Sequence, residues 1–147
     1  MIDVGEAAPD FEAPSSDGRR VHLTELRGHP VVLFFFPKAN TSGCSRETRG
    51  FAELAPRLSE RGVHLVGISV DDLATQTGFA RACHAAFPIV ADPRKGIAAA
   101  YGVLGMFGFA KRVTFFLGPD GVVLDKVAAG LPGPHLARAR ERFLSDR

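Results

Sequence analysis

The stretch Val31-Val-Leu-Phe-Phe-Phe-Pro-Lys-Ala-Asn-Thr-Ser-Gly-Cys-Ser-Arg-Glu47 changes character in its middle. Its first six residues are continuously apolar and rich in β-branched and aromatic side chains, the pattern of a strand buried on both faces. Pro37 ends that run, because proline cannot donate to a central ladder. From Ser45 to Arg61 the residues Phe51, Leu54 and Leu58 recur at helical spacing, so this segment reads as a helix with one buried stripe. A second apolar run follows over 63–70. Strand 30–36, helix 44–61 and strand 63–70 form a βαβ unit, which requires parallel pairing across the helix. Pro56 falls inside the helix and is expected to kink it about one turn beyond Phe51.

Outward from this unit, residues Ile2 to Leu26 read as an N-terminal extension with a turn at Ser15-Ser-Asp-Gly18 and a short strand over 21–23. A second helix is expected over about 75–85, then an apolar stretch over 87–90 and a short helix near 95–101. The runs 113–117 and 122–127 flank Gly118-Pro-Asp-Gly121, a hairpin signal. A last helix begins near Pro134, with Leu136, Ala139, Phe143 and Leu144 on one face. No repeat or linker divides the chain. At 147 residues and 46% hydrophobic content it suits a single α/β domain over 1–147, with a central mixed sheet flanked by helices.

The net charge of +2 is small, and the basic residues (14 of 18 are arginine) are scattered rather than blocked. With one tyrosine to stack on bases, nucleic-acid binding has no support. The N-terminus lacks the cationic and apolar segments of a signal peptide. No apolar run approaches the roughly 20 residues of a membrane span. Two cysteines in such a chain read as thiols that cycle rather than as a permanent staple, and the expectation is a soluble cytoplasmic protein.

Chemistry is suggested first by Cys44, which falls at or within the first turn of the predicted helix. Unpaired amides and the positive dipole end favour an anion there, so a cysteine so placed tends toward its nucleophilic thiolate. Its neighbours Ser42, Gly43, Ser45 and Arg46 are too small and polar for a merely structural buried thiol. Thr41 reads as a helix cap. Glu47 reads as a carboxylate favoured by the helix start. Arg112, before a strand, would alone be a surface arginine. Cys83, in Phe79-Ala-Arg-Ala-Cys-His84, could pack as a small apolar residue. Two cysteines 39 residues apart without clustered histidines do not make a zinc site, and His84 reads as surface. The Gly-rich segment 102–110 is either a loop folded onto the core or an exposed apolar rim.

The stretch Pro37 to Cys44 resembles the active-site signature of the peroxiredoxins, Pro-x-x-x-Thr/Ser-x-x-Cys, and is most similar to the Q-type, or bacterioferritin comigratory protein-like, group. Gly5–Phe11, Val66-Gly-Ile-Ser-Val-Asp71, Phe87-Pro-Ile-Val-Ala-Asp92, Ala100-Tyr-Gly102 and Arg112-Val-Thr-Phe115 match family blocks in order, so the likeness covers nearly the whole chain. Ser42 departs from the usual proline. The resemblance implies a thioredoxin fold and a thiol peroxidase for hydrogen peroxide and organic hydroperoxides. Cys44 would attack the peroxide, Thr41 would hold it and hydrogen-bond the sulfur, and Pro37 would shield the site. Gly43 would let the backbone approach the peroxide, Arg112 would stabilise the developing charge, and Glu47 would orient Arg112 or the loop.

In the family the second cysteine often lies five residues after the first, where this chain has Arg49, or on the following helix. The resemblance therefore implies that Cys83 condenses with the Cys44 sulfenic acid, after the first turn of the 44–61 helix unwinds. Thioredoxin or a similar dithiol would reduce the disulfide, and segment 102–110 could receive organic peroxides or dock a reductase. No metal, haem, flavin or selenium is implied, and a monomer is favoured over a dimer. Two alternatives stay open: a one-cysteine peroxidase with Cys83 inert, and a peroxide sensor that relays oxidation to a partner. Cys44-Ser-Arg-Glu47 lacks the second cysteine of a Cys-x-x-Cys dithiol reductase.

Overall fold

In the computed structural model, which describes residues 1–145, the apolar run becomes the central strand β3 (Val31–Phe35), and all five of its residues are buried. It pairs in parallel with β4 (His64–Ser69) and antiparallel with β6 (Val113–Leu117). β5 (Ile89–Ala91) extends the parallel half beyond β4, and β7 (Val123–Ala128) extends the antiparallel half beyond β6. The order is β5-β4-β3-β6-β7, a mixed sheet as the sequence predicts. A separate two-stranded ribbon, β1 (Glu12–Pro14) with β2 (Arg20–His22), forms the N-terminal extension.

Alternation along β3 divides the core in two. Val31, Leu33 and Phe35 face one cluster with Tyr101, Phe115 and the N-terminal segment. Val32 and Phe34, with Phe36 just beyond the strand, face the other cluster, with Phe51, Leu54, Phe79 and both cysteines. On that second face lie α1 (Ser42–Glu60), which supplies Phe51, Leu54 and Cys44, α2 (Leu73–Ala82), which supplies Phe79 and ends just before Cys83, and α4 (Pro132–Ala139), which adds Ala139. The Phe34 ring stacks on Phe51 at 4.5 Å between centroids. Burying each such ring stabilises by about 1.5–3 kcal/mol, so this pair fixes α1 against β3 and sets the place of the turn that carries Cys44. α3 (Gly96–Tyr101) packs on the opposite face, where the buried Tyr101 donates its hydroxyl to the Pro9 carbonyl at 2.7 Å.

Three boundaries differ from the sequence reading. α1 begins at Ser42 and continues through Pro56 to Glu60; Pro56 is on the exposed side, where water can replace a lost intrahelical bond. α2 starts at Leu73 because Asp72 caps it, accepting from the Thr75 amide at 2.8 Å, and it ends at Ala82. Cys83 is thus the C-cap rather than a residue within the helix, and His84 after it is left-handed at φ 57°. α4 starts at Pro132, two residues earlier than read, with proline in its first turn. Its helical path continues as a π-turn over Arg140–Leu144. Among the described residues no helix is long and apolar enough to cross a membrane.

Candidate active site

The loop from β3 to α1 is built to end at a thiol. Its Ala39 amide donates to Asp71 Oδ2 at 2.8 Å, which ties the loop to the end of β4, and Asn40 turns the chain in the left-handed region at φ 65°. Thr41 occupies the N-cap position, and the first helical bond runs from the Ser45 amide to the Thr41 carbonyl at 2.9 Å. Cys44 therefore sits in the first turn, where the preceding amides have no helical acceptor. Its side chain is buried, at 1% exposure.

Arg112, immediately before β6, reaches over this turn and commits each guanidinium nitrogen. Nη2 donates to Cys44 Sγ at 3.4 Å, Nη1 to Glu47 Oε1 at 2.6 Å, and Nε to the Gly130 carbonyl at 2.9 Å. The planar fork is thereby held in one orientation, with its charge on the sulfur. Gly43 permits this approach: a Cβ there would lie 3.1 Å from Arg112 Nη2. Pro37, half-buried, lines a shallow depression with Arg112, Val113, Ala129 and Gly130.

Glu47 is fully buried one turn after Cys44. Burial pushes its carboxyl up to about 7, against the opposing pull of the Arg112 charge and hydrogen bond. Oε1 holds Arg112, but Oε2 has no hydrogen-bond partner among the described residues and lies 3.8 Å from His135 Nδ1. His135, on α4, is also fully buried, and the sequence reading does not single it out. Its signal was its spacing: it shares the buried face with Ala139, four residues on, and a polar residue on a buried helical face asks for a partner. α4 reaches α1 closely enough that a Cβ on Gly50 would overlap the Leu136 side chain.

The other expected residues fall into place unevenly. Thr41 neither caps the helix through its side chain nor bonds the sulfur: its hydroxyl donates to the Lys38 carbonyl at 2.7 Å, since the turn at Asn40 aims it backward. Cys83 comes close, with Sγ 3.9 Å from the Ser45 carbonyl in the same first turn of α1. Both thiols are free, and burial pushes the Cys83 thiol upward while Arg49 partly opposes. His84 is exposed, as expected. Segment 102–110 is not folded wholly onto the core. Val103 and Ala110 are buried, but Met106 is 93% and Phe107 85% exposed. Phe109 stands beside the site loop, with Lys38 Nζ 5.6 Å from its ring centroid.

With this geometry in view, the likeness to known proteins is specific. Residues 4–126 match the AhpC/TSA family. A Coxiella burnetii peroxiredoxin, bcp, is 33% identical over 129 residues that cover 83% of this chain and 85% of that protein. Chloroplastic peroxiredoxin Q of Oryza sativa subsp. japonica is 32% identical over 124 residues, 83% of this chain and 57% of its own length. The crystal structure of peroxidoxin BcpB from Mycobacterium tuberculosis superposes with a TM-score of 0.86 at 34% identity, covering 97% of this chain and 99% of that one. The bacterioferritin comigratory protein of Xanthomonas campestris, described for alkyl peroxide reduction, gives 0.83 at 27% identity over 96% and 97%. The fold is that of the thioredoxin-fold peroxiredoxins, and the chain belongs to the AhpC/TSA family, the peroxiredoxins, which are thiol peroxidases.

Proposed function

We propose that the chain reduces hydrogen peroxide and organic hydroperoxides with Cys44 as nucleophile and Cys83 as the resolving thiol, and that thioredoxin or a similar dithiol restores it. The observation that carries this reading is the Arg112 guanidinium, locked by Glu47 and Gly130 with its remaining nitrogen on the Cys44 sulfur. A thiolate there attacks the terminal peroxide oxygen and the O–O bond breaks. The sulfur becomes a sulfenic acid, and the departing alkoxide or hydroxide takes a proton to leave as alcohol or water. Arg112 offsets negative charge on the thiolate and on the leaving oxygen. Thr41, whose own proton is spent on Lys38, keeps its oxygen lone pairs for the peroxide O–H. Pro37 covers the site on one side, and Gly43 leaves room for the guanidinium. The exposed rim of Leu104, Met106, Phe107 and Phe109 supports organic hydroperoxides among the substrates.

Resolution follows when the Cys83 thiol attacks the sulfenic sulfur, forming the Cys44–Cys83 disulfide and releasing water. Sγ of Cys83 already touches the turn that carries Cys44, so unwinding that one turn is the motion required. A dithiol then exchanges with the bridge. The one-cysteine reading has its own support in the near-complete burial of Cys83 and its raised pKa. A thiol count after one equivalent of peroxide separates the two: both thiols are lost in the first case, one in the second. Coupling to NADPH through thioredoxin and its reductase should give sustained turnover, and a sulfenic acid that persists beside a free Cys83 would exclude resolution by that residue.

A further inference from the structure

His135 has no part in the reaction as written, yet it is buried beside it. Its Nε2 lies 2.8 Å from the Ala129 carbonyl, which can only accept, so Nε2 carries a hydrogen. Burial, and after it the nearby Arg112 charge, disfavour the imidazolium, with only the Ala129 bond favouring it. In the neutral ring Nδ1 is therefore an acceptor, and it takes the Thr114 hydroxyl hydrogen at 2.7 Å. That lone pair is thereby occupied, and the nitrogen that stands 3.8 Å from Glu47 Oε2 offers it no hydrogen. An ionised Glu47 would set an unpaired carboxylate oxygen against an electron-rich nitrogen that cannot donate; a protonated Glu47 carries no such charge.

We propose that His135 is a positioning residue for the Cys44 reaction: by setting a nitrogen that donates no hydrogen against Glu47 Oε2, it decides how much of the Arg112 charge is left for the sulfur. With Glu47 neutral, the Cys44 thiolate is, among the described residues, the one anionic partner left to the guanidinium. With Glu47 ionised, the carboxylate at 2.6 Å takes a share. The groups around the pair come from every neighbouring element: Cys44 from α1, Arg112 and Thr114 from the β6 side, and the Ala129 carbonyl from beyond β7. The raised pKa of Glu47 agrees with this arrangement. The inference rests on Cys44 being the nucleophile.

Two substitutions move the pair in opposite directions. His135→Asn puts an amide N–H near the place of Nδ1, offers Oε2 a donor and favours the carboxylate. Thr114→Val removes the competing hydroxyl with a side chain of similar shape, frees Nδ1 for Glu47 and favours the acid. The probe is the infrared carbonyl band of protonated Glu47, assigned by its absence in Glu47→Gln and followed against pH, alongside the rate constant for hydrogen peroxide. In the wild type the band should fade near neutrality, and the rate should fall off on the same limb. His135→Asn should shift both midpoints down and Thr114→Val should shift both up, each by about one pH unit. Midpoints unchanged in either folded variant, or a band that shifts without the rate limb, would overturn the proposal. Failure of the underlying reading looks different: Cys44→Ser would stay active while the infrared titration still responded to His135.

Discussion

The two thiols of this chain share one hydrophobic cluster and almost the same burial, yet their surroundings differ in kind. Around Cys44 the charged groups are directed: a guanidinium with three committed nitrogens, a buried carboxyl that holds it, and a histidine behind the carboxyl. Around Cys83 there are one long contact to a backbone carbonyl, the Arg49 side chain that only partly offsets the burial of the thiol, a helix that stops there, and a left-handed residue just after it. Charge stabilisation at a reacting atom requires groups fixed before the reaction. A thiol that acts second, after its partner's helix turn opens, gains nothing from being fixed. On the proposed reading, one site is preorganised for attack and the other is placed where movement can deliver it.

The sharpest break of that contrast is to remove each sulfur in turn. Cys44→Ser should lose peroxidase activity by at least about 10³-fold while keeping its circular dichroism spectrum, since an alcohol offers no thiolate near neutral pH. Cys83→Ser should leave the first, stoichiometric oxidation of Cys44 intact and stop turnover after it. Stopped-flow fluorescence or sulfenic-acid trapping distinguishes the two, and Cys44 should become easier to over-oxidise to sulfinic acid when Cys83 is absent. A Cys83→Ser enzyme that cycles normally with thioredoxin would make Cys83 an ordinary core residue.

Arg112→Met should slow the reaction of Cys44 with peroxide by about 10²–10³-fold, the scale of losing one preorganised charge-stabilising donor. Lysine at 112 should recover only part, because it cannot serve the sulfur, Glu47 and the Gly130 carbonyl in one planar fork. Neither change should slow attack by the Cys83 thiol once a sulfenic acid is formed. If both steps slow equally, the two environments are less separate than their geometry indicates.

Much of this contrast could be read from the sequence, and what could not has physical reasons. The apolar run of β3, the stripe of α1 and the hairpin at 118–121 are local patterns, and each appears where periodicity put it. Arg112 alone reads as a surface residue; only the family block marks it, because its partners lie 65 and 68 positions away in sequence. His135 carries only a weak signal, its spacing to Ala139, because Leu136 beside it reads as the better core residue and only the packing of α4 on α1 shows otherwise. The Thr41 hydroxyl was misdirected because a left-handed Asn40 cannot be read from spacing. The 102–110 segment is apolar without being core: its glycines and the Leu104–Ala110 bridge make a tight excursion that leaves Met106 and Phe107 outside.

Glu47 gives the comparison a thermodynamic edge. A carboxyl raised from 4.5 to about 7 on folding binds more protons in the native than in the unfolded state between those values. Its contribution to stability is therefore full below about pH 4.5 and is lost as pH rises through about 7, a loss of about 3 kcal/mol at most. Glu47→Gln should flatten this part of the stability profile and make the protein relatively more stable at pH 8, measured by urea unfolding at a series of pH values. Wild type and variant with parallel profiles between pH 5 and 8 would show that Glu47 ionises at its ordinary value.

The smallest expected effect tests the finest part of the geometry. Gly43 has no left-handed requirement, and the one thing in the way of a Cβ is the Arg112 guanidinium, Nη2 at 3.1 Å and Cζ at 3.9 Å. In Gly43→Ala the guanidinium must retreat by a few tenths of an ångström, and its bonds to Glu47 and Gly130 resist that retreat. Since a misplacement of about 1 Å can cost about a hundredfold, this smaller one should slow peroxide reduction by about three- to tenfold. Alanine in a helical turn meanwhile favours folding over glycine by about 0.5–1 kcal/mol, so the melting temperature should hold or rise. Activity and stability should thus move apart, which general damage to the fold would not produce. The decisive version is a cycle with Arg112→Met: with the guanidinium gone, the added methyl has nothing to displace, and Gly43→Ala should cost almost nothing further. A full, additive loss in the double variant would mean that Gly43 serves the approaching peroxide itself rather than the arginine above the thiol.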